Sequence, residues 1–138
     1  MNARAIAFSI LLASTTALAA DIGPGGYEMT TYYVAFLYRG AKWTPQETPE
    51  TAKIQEEHLA NIQQLAKSGR LVLAGPFTDD GELRGIFVLQ GVTREEAQEL
   101  TANDPAVKAG RLRIELHPWY AAKGIRVDPP RQNVQVNH

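Results

Sequence analysis

Between Thr30 and Arg39 the chain is rich in Tyr, Val, Phe and Leu, and neither alternating phase is polar. Tyr32, Val34 and Phe36 face one way and Tyr33, Ala35 and Leu37 the other, which predicts a strand covered on both sides. From Glu50 to Lys67 the period changes. Ile54, His58, Ile62 and Leu65 follow the i, i+4, i+8, i+11 spacing of one helical face, and Ser68-Gly69 stops the helix. A second strand is expected over Arg70–Ala74, followed by a loop punctuated by Gly75-Pro76 and Asp79-Asp80-Gly81. A third strand is expected over Arg84–Gln90. Leu71–Leu73 and Ile86–Leu89 are again continuously apolar. Thr93 with Glu96 three residues on forms a capping box that opens a second helix, which runs to about Ala102 and ends before Asp104-Pro105. Val107–Gly110 reads as a connection and Arg111–Trp119 as a fourth strand. In that last strand Leu112, Ile114 and Leu116 oppose Arg111, Arg113, Glu115 and His117.

The order β-α-β-β-α-β predicts an α+β fold of the ferredoxin-like plan: an antiparallel sheet with both helices on one face. Two helices cover one face only. The apolar character of the other predicts that two copies pack their sheets back to back as a homodimer. The domain is expected to span residues 30–120, after a Gly/Pro-rich leader over 21–29 and before a polar extension over 121–138 that contains Pro129-Pro130.

Length and composition narrow the class. A chain of 138 residues is one domain by length and long enough for a core of its own. The absence of cysteine excludes disulfides, thiol catalysis and cysteine metal sites. A formal charge of −1 leaves no electrostatic footprint for nucleic acid. The first twenty residues read as an address. Arg4 precedes the apolar run Ala5–Ala13, which is too short to span a bilayer, and Ala17-Leu18-Ala19 supplies an A-x-A cleavage pattern. A secretory signal peptide over 1–20, cut after Ala19 or Ala20, predicts a periplasmic or secreted bacterial protein with no membrane attachment after cleavage.

Candidate chemistry is sparse. His138 is the terminal residue, and His117 lies in the polar phase of the fourth strand as a surface or rim residue. His58 differs, because it occupies an inward position where an aliphatic side chain would pack better. It is either a hydrogen-bonded core histidine or a working acid/base. Asp104 stands at the end of the second helix, where the macrodipole disfavours an acid. In this fold the end of the second helix can reach the inward face of the first, and a carboxylate beside an imidazole orients the ring for proton transfer. No phosphate-binding glycine loop, H-E-x-x-H motif, paired zinc spacing or G-x-S-x-G elbow occurs, so no metal or cofactor is expected. Trp43 and Trp119 are candidates for a pocket wall, with loop and strand-end packing as the competing role.

Glu57-His58-Leu59, Gly69-Arg70-Leu71, Gly75-Pro76-Phe77, Asp80-Gly81, Gly85, Glu95-Glu96-Ala97, Asp104-Pro105 and Pro118-Trp119 occur in order. This set resembles the YCII-related family of the dimeric α+β barrel superfamily, over about Tyr32 to Trp119. The resemblance implies ferredoxin-like subunits paired through their sheets, with a cleft holding a His-Asp pair. Some members of the family are proposed enzymes acting through that pair, among them a dehydrochlorinase of chlorinated hydroxyquinols. The family's histidine falls on His58 and its aspartate on Asp104. Two functions follow as expectations. One is a small cofactor-independent enzyme of lyase or isomerase type, with His58 as general acid/base and Asp104 orienting it, acting on a small cyclic or aromatic molecule. The other is a non-catalytic periplasmic homodimer that binds a small ligand or a partner protein.

Overall fold

Thr48 and Thr93 decide where the long helices begin. Each side chain accepts the backbone N–H three residues on, and Thr51 and Glu96 answer by accepting the cap residue's own N–H, so both starts are capping boxes. The helices that follow are α1 (Pro49–Lys67) and α2 (Arg94–Ala102). The strands are β1 (Met29–Arg39), β2 (Leu71–Pro76), β3 (Leu83–Leu89) and β4 (Leu112–Ala122). The computed structural model describes residues 19–127. The expected signal peptide, apart from Ala19 and Ala20, lies outside the described residues, as do Pro129-Pro130 and His138. No helix among the described residues is long and apolar enough to cross a membrane.

The sheet is antiparallel throughout, with strand order β2-β3-β1-β4. Ala35 pairs with Phe87, which also pairs with Ala74, and these residues share one face. On that face Ala35, Leu37, Phe87 and Leu89 form the core with Leu65 of α1 and Ala97 of α2. The expected α+β plan, with helices on one side of an antiparallel sheet, is the architecture found. The opposite face carries Val34 and Phe36 of β1, Leu73 of β2, and Ile86 and Val88 of β3. With Trp119 and Ile125 these residues line an apolar groove of about 510 Å³.

Three boundaries differ from the sequence reading. β2 runs on through Gly75-Pro76, and Pro76 pairs with Gly85. β2 is an edge strand, so the missing N–H of proline costs no ladder bond. β4 continues past Tyr120 to Ala122, because β1 begins early enough for Met29 to pair with Ala122. Beyond it the chain turns back, and Tyr32 Oη accepts the N–H groups of Gly124 and Ile125 at 3.1 and 3.2 Å. The first part of the expected loose extension is therefore tied to the sheet. The third difference bears on the site. Pro105–Lys108, expected as part of a connection, forms one turn of helix, α3.

Candidate active site

The turn α3 changes the role of Asp104. Asn103 caps the C-terminus of α2, and Asp104 stands at the N-cap of α3. Its Oδ1 accepts the backbone N–H groups of Ala106 at 3.0 Å and Val107 at 3.4 Å. The macrodipole conflict expected of an acid closing α2 is therefore absent, since an acid is favoured at a helix start. Asp104 is fully buried.

His58 comes from the inward face of α1, with Ile54 and Leu65 on the same side, and is 8 % exposed. Glu56 and Glu57 are exposed, as their phase predicts. The His58 Nδ1 lies 2.9 Å from Asp104 Oδ1 and 2.8 Å from Oδ2, and the ring stacks on Phe87 at 5.9 Å between centroids. Asn61, one turn further along α1, donates Nδ2–H to Asp104 Oδ2 at 2.9 Å. Burial pushes the Asp104 carboxyl up. The hydrogen bond and charge of His58, with the donors of Asn61 and Ala106, outweigh burial and hold the group below the usual carboxylate range. Asp104 is thus an anion at neutral pH and can only accept. In neutral His58 the proton sits on Nδ1, leaving Nε2 as a bare acceptor.

Nε2 has no hydrogen-bond partner among the described residues. The one solvent-excluded side-chain nitrogen or oxygen without a partner there is Arg39 Nε, so Nε2 retains access to solvent. His58 lines a cavity of about 410 Å³ between α1, the β2–β3 edge and the start of β4. The volume suits a small organic molecule. Gly85 keeps part of this wall thin, since a Cβ there would stand 2.6 Å from the Gly75 carbonyl oxygen.

Trp43 closes another side of the cavity, and its ring carries the Arg39 guanidinium at 4.0 Å, which gives the unpartnered Arg39 Nε an aromatic face. Trp119 lies on the opposite face of the sheet in contact with Tyr32, at 5.8 Å between ring centroids, and belongs to the open groove. The two tryptophans therefore serve different surfaces. His117 is exposed and bonded to Glu115 at 2.7 Å, as its phase in β4 suggested. Asp79-Asp80-Gly81 is a turn in which Asp80 adopts φ 56° and binds Arg39 and Arg84. Among the described residues, no three His, Asp or Glu side chains gather in a metal-binding cluster.

The model of the YCII-related domain matches residues 33–119, which run from the fifth residue of β1 to the eighth of β4 and hold every side chain of the cavity named above. The chain belongs to the YCII-related family. The uncharacterised protein YjpA of Bacillus subtilis (strain 168) is 31% identical over 80 residues, covering 55% of this chain and 92% of YjpA. Among solved structures, this YCII-related chain is similar to 5-chloro-2-hydroxyhydroquinone dehydrochlorinase (TftG) from Burkholderia phenoliruptrix AC1100 in complex with 2,5-dihydroxybenzoquinone. Identity is 21% and the TM-score 0.45, over 65% of this chain and 93% of that one.

Sequence reasoning missed two polar residues of the YCII-related domain's site: Asn61, which binds Asp104, and Arg111, which lines the cavity. Asn61 lies at i+3 from His58, a position on the same helical face, and its polar side chain beside a buried histidine was the available signal. Arg111 was assigned to the polar phase of β4. It precedes the strand and lines the cavity instead.

Proposed function

We propose that this YCII-related protein is a small acid–base enzyme in which His58 Nε2 takes a proton from a small cyclic or aromatic molecule and returns it. The observation that carries the reading is one-sided bonding of the imidazole: Nδ1 is held by a buried carboxylate, while Nε2 has no partner among the described residues and His58 lines the cavity. Asp104 orients the ring and stabilises the imidazolium that forms on proton uptake. A single proton shuttle of this kind suffices for elimination or isomerisation next to an activating carbonyl.

The test is the ¹⁵N spectrum of the His58 ring in alkaline buffer. The expected result is the Nδ1–H tautomer with Nε2 bare. A ring found protonated at Nε2 overturns the role given to that atom.

The protein is further proposed to act as a homodimer. Val34, Phe36, Leu73 and Val88 leave an apolar face that the three helices do not cover. A patch of this kind on a secreted monomer is a solubility liability. Light scattering is expected to give twice the chain mass for the parent protein and a monomer for Phe36→Glu. A monomeric parent protein overturns this assembly. The periplasm or the exterior of a bacterium is the proposed location, on the strength of Arg4, the apolar run and the Ala17-Leu18-Ala19 pattern.

A further inference from the structure

Three guanidinium groups stand around the cavity and its Trp43 wall, and they are not equivalent. Arg39 pairs with Asp80 at 3.0 Å and Glu82 at 3.3 Å, and Arg84 pairs with Asp80 at 3.3 Å. Two carboxylates thus offset two arginines. Arg111 has no carboxylate within 4 Å among the described residues. Its protein partners there are both on Thr44, the side-chain oxygen at 3.2 Å from Nη1 and the carbonyl at 3.1 Å from Nη2. A guanidinium has five N–H donors, so three are left for a ligand.

The backbone around Arg111 ties it to both halves of the site. Its N–H donates to the Ala106 carbonyl in α3, the turn that Asp104 caps. Gly110 turns the chain from α3 into β4 at φ 74°, where a side chain would be strained. The Gly110 carbonyl then accepts the Lys42 N–H at 2.9 Å, and the Arg111 carbonyl accepts the Gly40 N–H at 2.8 Å. The segment that carries Trp43 is therefore stitched to the residue that carries the free cation, and that residue is stitched to the helix that places Asp104.

We propose that Arg111 pairs an anionic oxygen of the ligand, so that the cavity takes a small ring compound bearing a carboxylate or an ionised ring hydroxyl, with Trp43 as its flat wall. The proposal rests on the acid–base reading of the same cavity and names its substrate class. A half-buried cation lacking a counter-ion gains more from a ligand anion than from water. The charge also supplies what a proton abstraction needs, a fixed positive group beside a molecule that becomes more negative as Nε2 takes the proton.

The test uses the purified full chain, with benzoate, 4-nitrophenolate and benzamide as probes. Binding is followed at the Trp43 indole N–H and the His58 ring signals. At least one anion is expected to shift both, and neutral benzamide to bind at least about tenfold more weakly, the loss expected for one charge-assisted pair. Arg111→Gln is expected to weaken the anion by a similar factor and leave benzamide unchanged, while Arg111→Lys restores part of the loss. Thr44→Val removes a tie to the loop and keeps the cation, so it is expected to bind the anion as the parent does. Benzoate alone, or 4-nitrophenolate alone, showing this pattern identifies which oxygen the site takes. Equal binding of benzamide and both anions, anion binding unchanged in Arg111→Gln, or no binding of either anion at these signals overturns the proposal. The His58 tautomer is read separately without ligand, so a failed acid–base reading and a failed anion site are distinguishable.

Discussion

Asp104→Ala is expected to be the most damaging single substitution in the domain, costing about 3–5 kcal/mol of folding stability, the range for breaking a buried pair from one side. The carboxylate is fully buried and accepts from four donors: His58, Asn61 and the N–H groups of Ala106 and Val107. Alanine leaves the two side chains without their acceptor and removes the cap of α3, itself worth about 1 kcal/mol. For a domain of this size the loss corresponds to a fall in melting temperature of roughly 10–20 °C. Urea unfolding followed by circular dichroism measures it. A loss below about 1 kcal/mol would show that α1 and α3 are held by apolar packing alone. The same group predicts an acid limb. The folded carboxyl titrates below its ordinary value of 3.8, so its contribution is complete above that pH and is lost as pH falls through the folded value. Asp104→Asn has no such group, and its stability is expected to fall less steeply below pH 3.8 than that of the parent chain.

The same residue shows where sequence pattern stops. The inward face of α1 was legible because helical period alone sets it, and His58 stands out there as the polar exception. The doubly apolar strands were legible for the same reason, since period two leaves no ambiguity about faces. The cap of α3 was not. One turn of helix is too short to show a period, and an Asp-Pro step stops one helix as readily as it starts the next. Pro76 was read as loop because Gly-Pro is turn punctuation, and whether a proline can sit in a strand depends on edge position, which is set by the order of strands in space. Ala122 belongs to β4 because Met29 is there to pair with it, a fact of register between distant segments. Arg111 looked like one more solvated charge. Its place in the cavity depends on the turn at Gly110 and the Gly40 contact, and its lack of a carboxylate partner among the described residues on the pairing of Asp80 and Glu82 with the other two arginines.

His58→Gln is expected to lower the rate of proton exchange at an acidic carbon of a bound cyclic ketone by about 10²–10⁴-fold, the usual contribution of a positioned general base. The measurement is loss of the C–H signal in D₂O across a small panel of cyclic ketones carrying a carboxylate, compared with the buffer rate. Glutamine keeps a polar side chain of similar length that can still donate to Asp104, so the effect on folding is expected to be far smaller than that of Asp104→Ala. What it lacks is a basic nitrogen in place of Nε2. The comparison of variants separates two roles that one alanine substitution would merge. Asp104 is expected to act on stability and on rate together, because it caps α3 and also holds the ring. His58 is expected to act mainly on rate, because the ring's outer nitrogen bonds to no described residue and its loss leaves no buried donor stranded. If His58→Gln exchanges as fast as the parent chain, the imidazole is a packing residue that satisfies Asp104, and the cavity is a binding site without proton chemistry.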